Sequence, residues 1–237
     1  MTGALANCFP ATALTGATQW QTAVVREIDR PTDRLVLIRL EVPDRIMHLA
    51  GQHYVVRLTA DDGYSASRSY SVSSAPADEL VELCVERLDD GEVSGYLYDG
   101  VEAGDRLEVR GPIGGWFVWT GHCAAVAVGG GTGVAPIAAM LRLARANGHT
   151  DQLRVAVSAR TADRLPFVAE FRAAGATIAL TGTSGRLTAD ALRPLADGAE
   201  LGYVCGSARF AEAVSVALTD TGLGADRIRV ERFGPTG

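Results

Sequence analysis

From Gln21 to about Gly111 the apolar residues recur mostly at every second position, the period of strands with one face on a core. Val36-Leu37-Ile38-Arg39-Leu40 and Tyr54-Val55-Val56-Arg57-Leu58 are rich in β-branched residues and are bounded by turn formers, the pattern of short strands. Val81, Leu83 and Val85 alternate with Glu82, Cys84 and Glu86, which predicts a strand with one wet face. Leu107-Glu108-Val109-Arg110 repeats the alternation. Asp61-Asp62-Gly63, Asp89-Asp90-Gly91 and Ala103-Gly104-Asp105 separate these runs as turns. Close-spaced strands, with one short helix expected over residues 93–99, predict an antiparallel barrel.

After Gly111-Pro112-Ile113-Gly114-Gly115 the texture changes. Ala124-Ala125-Val126-Ala127-Val128 is a continuous apolar run, as a strand buried on both faces requires. Residues 134–146 have helical spacing, with Ile137, Met140, Leu141 and Leu143 on one side and Arg142 and Arg145 on the other. Strands are expected over 153–157, 177–180, 201–205 and 228–230. Helices are expected over 162–174, with Pro166 near the first turn, and over 207–219, with Ser207 as cap. Strand and helix alternate, so this half predicts a parallel sheet covered by helices on both faces. The expected architecture is α+β with two domains. A tail over 1–16 precedes an antiparallel β-barrel over 17–120, and an α/β parallel-sheet domain follows over 121–237.

Composition narrows the function. The chain has 237 residues, 47% hydrophobic and 21% charged, with a formal charge of −6. That is globular, and the acidic balance argues against nucleic acid or an anionic membrane as partner. Cys8, Cys84, Cys123 and Cys205 are scattered, so neither a disulfide framework nor a metal site is indicated, and a reducing cytoplasm is the expected setting. Residues 1–16 carry no basic residue and are cut by Pro10, a poor signal peptide, and no apolar run approaches a membrane span. His48, His53, His122 and His149 show no metal spacing and read as surface or turn residues. There is no G-x-S-x-G elbow, and the acidic residues follow turns and wet strand faces, so hydrolase chemistry has no support.

Four stretches could carry chemistry. Gly129-Gly130-Gly131-Thr132-Gly133 stands between the buried run and a helix start. Backbone N–H groups and a positive helix end would meet there, a seat for a diphosphate. The loop lacks G-x-G-x-x-G spacing, and a tight turn that binds nothing is the plain alternative. Ser158-Ala159-Arg160 ends the second strand of this half without an acidic residue; Arg160 either accommodates a phosphate or is a solvated arginine. Tyr203-Val204-Cys205-Gly206-Ser207 ends another strand on a small residue, where Cys205 either packs against a flat ring or is a buried structural cysteine. Arg68-Ser69-Tyr70-Ser71 is a polar break between two strand-like runs. It holds a cation for a pyrophosphate, an aromatic for a ring system and hydroxyls for ring nitrogens, the types a dinucleotide flavin needs at a strand end.

Taken in order, these motifs resemble the ferredoxin–NADP reductase superfamily from about Gln19 onward. Arg68-Ser69-Tyr70-Ser71 is similar to its flavin motif, Gly111-Pro112-Ile113-Gly114 to the segment closing its flavin barrel, and Gly130-Gly131-Thr132-Gly133-Val134-Ala135-Pro136 to its nicotinamide-dinucleotide loop. Cys205-Gly206 matches its cysteine-glycine pair and Glu231-Arg232-Phe233 its acidic-plus-aromatic end.

The resemblance implies two cofactors, FAD and NAD(P)H. Arg68 would meet the flavin diphosphate, Ser69 would bind the flavin as part of the same motif, Tyr70 would cover the isoalloxazine and Ser71 would hydrogen-bond near its hydride-accepting nitrogen. Val85 and Arg87 fall on the segment around the ribityl and adenine side, and Gly91, Val93 and Ser94 on the diphosphate loop. Gly131, Thr132, Gly133, Val134, Pro136, Arg160, Cys205 and Gly206 would bind the nicotinamide cofactor, and Phe233 would stack on the flavin. Ser71, Cys205 and Glu231 are the expected catalytic residues. Many relatives carry an iron–sulfur domain with clustered cysteines; this chain has none, so the acceptor is expected to be separate: a ferredoxin, an oxygenase or P450 component, or a small oxidant. The alternatives are a reductase of free flavin and a non-catalytic nucleotide-binding subunit. Gly182 stands where relatives often carry arginine, so NADH and NADPH both remain open.

Overall fold

The computed structural model describes residues 19–233. The expected tail and Cys8 lie outside these residues. Six strands form the first sheet: β1 (Gln21–Asp29), β2 (Leu35–Glu41), β3 (His53–Thr59), β4 (Ser65–Ser71), β5 (Val81–Glu86) and β6 (Arg106–Ile113). Neighbours run antiparallel in the order β4-β3-β6-β1-β2-β5. The outermost strands approach each other. Val72, just past β4, bridges Leu83 of β5, and Ser73 N–H donates to Glu82 O at 2.9 Å. The sheet therefore curls around a core that includes Val25, Ile38, Leu40, Tyr54, Val56, Val85 and Val109. The helix α1 (Glu92–Asp99) adds Val93 and Leu97 to that core.

The second sheet has β7 (Ala125–Gly130), β8 (Leu153–Ala159), β9 (Thr177–Leu180), β10 (Leu201–Ser207) and β11 (Ile228–Phe233). These run parallel in the order β11-β10-β7-β8-β9. The chain steps outward from β7 through β8 and β9, then returns to the other side of β7. The strand order thus reverses between β7 and β10, and ligands bind at such a point. The helices are α2 (Ala135–Ala146), α3 (Val168–Ala173), α4 (Ala189–Ala196) and α5 (Ala208–Asp220). Ala125 and Ala127 face one core with Ile137, Met140 and Phe171. Val126 and Val128 face the other with Leu192, Val214 and Leu218. The continuous apolar run of β7 is what burial on both faces demands.

The structure departs from the expected elements in four places. Arg68 to Ser71 is no break but the second half of β4, paired with β3 along its length. The helix expected over 162–174 is a short turn over Ala162–Arg164 followed by α3. Leu165 precedes Pro166 and is held extended, at φ −107° and ψ 102°, because the proline ring crowds a helical neighbour. Phe167 then takes φ 59°. The helix α4 was not expected; it starts at a Thr188 cap and contains Pro194. Finally, β5 has no wet face: Glu82 and Cys84 are 2% and 5% exposed. Cys84 packs with Leu35, Ala135 and Phe167, so the second half of the chain covers that face.

Candidate functional site at the cleft between the two sheets

The register of β3 on β4 sets His53 opposite Ser71, Tyr54 opposite Tyr70 and Val56 opposite Arg68. Ser71 is buried, and its hydroxyl has no partner among the described residues. Leaving a buried hydroxyl unpaired costs about 1–3 kcal/mol, so the position is explained if a ligand supplies the missing bond. Tyr70 is half-buried against the core of the first sheet. Burial pushes its phenol well above the ordinary range, with Arg68 opposing. Arg68 is exposed; it donates to Ser67 O at 2.7 Å and forms no ion pair among the described residues. Ser69 is exposed on the alternate face.

Along β5 and α1 the expected residues offer mostly backbone. Val85 and Val93 are core side chains. The hydroxyl of Ser94 accepts from Leu88 N–H at 3.2 Å and donates to Gly91 O at 3.3 Å, so it is spent inside the turn. Arg87 pairs with Asp99 at 2.9 Å. No side chain caps α1 at Gly91, which leaves the first N–H groups of the helix available to an anion. A Cβ on Gly91 would lie 2.2 Å from Ser94 Oγ.

The glycine loop divides into closed and open positions. Gly129 and Gly130 belong to β7, and residues Gly131–Val134 form a 3-10 turn into α2 with no side-chain cap at either start. A Cβ on Gly133 would lie 2.4 Å from Cys205 O, and one on Gly130 2.8 Å from the Phe210 ring. Gly206 also abuts Phe210. Gly131, at φ 57°, has nothing within 4 Å of its Cβ position. Thr132 is half-exposed beside it, whereas Val134 and Pro136 are buried. Arg160 is exposed just past β8. Its carbonyl accepts from Gly182 N–H at 2.9 Å, and a Cβ on Gly182 would sit 2.8 Å from that oxygen. A side chain at 182 would therefore require the backbone to shift.

Across the cleft, Cys205 and Glu231 are register partners on β10 and β11. Cys205 is fully buried; burial, then Glu231, push its thiol well up. Burial alone raises the Glu231 carboxyl to about 7. Glu231 Oε1 lies 4.0 Å from His53 Nδ1, and its Oε2 is buried without a partner among the described residues. His53 is itself lowered by burial. Phe233 is half-buried at the end of β11, packed on the core shared with Cys205. The structure thus brings Ser71, His53, Glu231 and Cys205 to one cleft. Arg87, Ser94 and Val85 stand apart from it on the barrel.

His53 was expected at the surface or in a turn; it opens β3 at the cleft. The usable signal was its place at the start of the strand that pairs with Ser71.

Both halves fit the cofactors the motifs implied. An unpaired arginine, an uncapped helix start and an orphaned hydroxyl suit a flavin dinucleotide. An open glycine in an uncapped turn, a buried thiol and a carboxylate oxygen without a partner among the described residues suit a nicotinamide dinucleotide.

Comparison with known proteins agrees. Residues 24–118 match the family described as the oxidoreductase FAD-binding domain. The chain is 24% identical over 229 residues to the ferredoxin–NAD(P)(+) reductase component of the naphthalene 1,2-dioxygenase/salicylate 5-hydroxylase systems of a Ralstonia species. That match covers 90% of this chain and 69% of the relative. A flavohemoprotein of Deinococcus radiodurans is 34% identical over 190 residues, covering 71% of this chain and 47% of the relative. This chain therefore spans about half of that protein. Among solved structures, the flavohem-like FAD/NAD binding domain of nitric oxide dioxygenase from Vibrio cholerae superposes with a TM-score of 0.79 at 24% identity, covering 91% of this chain and 99% of that one. Residues 24–118 thus match an oxidoreductase FAD-binding domain, and the two-sheet fold is that of the Vibrio cholerae FAD/NAD binding domain.

Proposed function

We propose that this chain binds FAD on the barrel half and NAD(P)H on the parallel-sheet half. It takes a hydride onto the flavin and passes the electrons to an acceptor outside this chain, a ferredoxin or an oxygenase component. One observation carries the reading: two buried polar atoms without partners among the described residues, Ser71 Oγ and Glu231 Oε2, belong to different sheets that meet through His53. Bound FAD would supply the electronic chemistry, and the protein sets distance, orientation and electrostatics.

Arg68 and the uncapped start of α1 would hold the flavin diphosphate. Tyr70 would line its ring, and Ser71 would donate or accept at its edge. The turn at residues 131–134 would receive the diphosphate of the nicotinamide cofactor. Cys205 would line the nicotinamide, and Phe233 would guard that face. Glu231, titrating near neutrality, can hold or give up a proton at its Oε2. Arg160 would contact the phosphate end.

The test is anaerobic titration of the FAD-loaded chain with NADH and with NADPH, followed by a panel of ferredoxins, oxygenase components and free flavins. Bleaching by one nicotinamide and reoxidation by a protein acceptor is the expected result. Protein that binds no FAD, or binds it and never bleaches, would overturn the reading. Turnover of added riboflavin with weak FAD retention would mark a reductase of free flavin instead. Arg68→Ala should release FAD; unchanged flavin content would remove the diphosphate role.

A further inference from the structure

Glu82 lies on the face of β5 expected to be wet, yet it is 2% exposed. Its carboxylate accepts from Arg142 Nη1 at 2.7 Å, Arg39 Nε at 2.9 Å and Ser73 Oγ at 2.9 Å. Burial pushes the carboxyl up, but Arg142, Arg39 and Ser73 outweigh it, and the group ends below its ordinary value. Arg142 belongs to α2, on the other half of the molecule. The same Nη1 donates to Ser73 O at 2.8 Å. Its remaining donors reach Glu170 of α3, with Nη2 at 3.0 Å. Its guanidinium lies 4.8 Å from the ring centroid of Phe167, the one described non-glycine residue with positive φ. Phe167 in turn packs on Leu35 and Cys84 of the barrel half.

These contacts make a short path between the two ends of the candidate site. Ser73 follows Ser71 by two residues. Ser73 is bonded to Glu82 and to Arg142. Arg142 lies two turns into the helix that the glycine turn leads into. Glu82 is buried and fully paired, while Arg142 and Arg39 are partly exposed; removing a partner from a buried charge is strongly unfavourable, which holds the arrangement in place. Buried ion pairs contribute little net stability over apolar packing, so their worth here is geometric.

We propose that Arg142 and Glu82 are positioning residues, which fix the gap between the end of β4 and the glycine turn. They thereby set how the nicotinamide meets the flavin. This rests on the two-cofactor reading above and adds to it residues that touch neither cofactor. A misplacement of about 1 Å in a reacting pair lowers the rate by roughly 10²-fold, so a modest change at the clamp is expected to show in the chemical step.

The test uses FAD-loaded Glu82→Gln and Arg142→Lys in anaerobic stopped flow with NADH and NADPH. Glu82→Gln keeps a partner for Ser73 but drops the charge. Arg142→Lys keeps the charge but cannot reach Glu82, Ser73 and Glu170 together. Each variant is expected to keep its flavin and to bleach about tenfold or more slowly at saturating nicotinamide, with the half-saturating concentration nearly unchanged. Hydrogen exchange of the flavin-free chain gives a second readout, in which segments 72–75 and 131–141 lose protection together. An unchanged limiting rate, a loss confined to half-saturation, or protection lost on one side only would overturn the proposal. If wild type itself fails to bleach, the function reading is at fault, and hydrogen exchange still decides the clamp. Should Glu82→Gln fail to fold, Arg142→Lys carries the test.

Discussion

The two sheets meet at two carboxylates, one buried and one partly buried, that are treated in opposite ways. Glu82 has Arg142, Arg39 and Ser73 around it. Glu231 has a histidine nitrogen at 4.0 Å and one oxygen with no partner among the described residues. The neighbouring serines repeat the contrast: Ser73 donates to Glu82, whereas Ser71 has no partner among the described residues. Burying unpaired polar groups is costly, so the open end makes physical sense as the end that a ligand completes. The saturated end makes sense as a fixed joint. One interface thus separates holding from binding, within a few residues of chain.

Mutations should break this contrast in a fixed order. Arg142→Ala should have the largest effect on folding, about 3 kcal/mol, since it leaves Glu82 buried with fewer partners; urea unfolding of the flavin-free chain measures it. Gly133→Ala comes next, at about 1–3 kcal/mol, because the new Cβ would meet Cys205 O at 2.4 Å. Gly131→Ala should cost nearer 1 kcal/mol, for the left-handed backbone alone, as its Cβ position is open. The serines should differ more simply. Ser73→Ala should destabilise the flavin-free chain by about 1 kcal/mol or more, while Ser71→Ala should be near neutral, having no bond to lose. Equal effects would erase the distinction between the two ends.

The pH dependence should be of opposite sign at the two carboxylates. Glu231 titrates at about 7 when folded, against 4.5 ordinarily. Folded protein therefore binds more protons than unfolded in that window. Its contribution is fully present below about 4.5 and is lost as pH rises through about 7. Glu82 is lowered, so its contribution is present above the ordinary carboxylate range and is lost as pH falls through its folded value. Stability of Glu231→Gln should accordingly fall less than that of wild type as pH rises from 5 to 8. An identical slope in wild type and variant would contradict the raised value.

Much of this arrangement is legible in the chain. β-branched runs between turn formers mark β2 and β3, alternation marks β6, and an unbroken apolar run marks β7. The order of Arg68-Ser69-Tyr70-Ser71, the glycine loop, Cys205 and Glu231 indicates two facing ligand sites. What escapes is tertiary. Glu82 and Cys84 alternate like a wet face, and only the docking of α2 and α3 dries it. β4 has almost no apolar residues, so its strand character comes from pairing with β3 rather than from burial. The helix expected over 162–174 fails at Pro166 because the residue before a proline resists helical geometry. His53 is marked only by its place at the start of β3, and that place points to the cleft only once the pairing with Ser71 is known.

The most direct measurement is the rate at which NADH or NADPH bleaches FAD bound to Ser71→Ala, in anaerobic stopped flow beside wild type. Full flavin content is expected, with a rate lowered by roughly 10²-fold, the usual loss when one preorganised hydrogen-bonding group is removed from a reacting centre. A variant that holds its flavin and bleaches as fast as wild type would contradict that expectation.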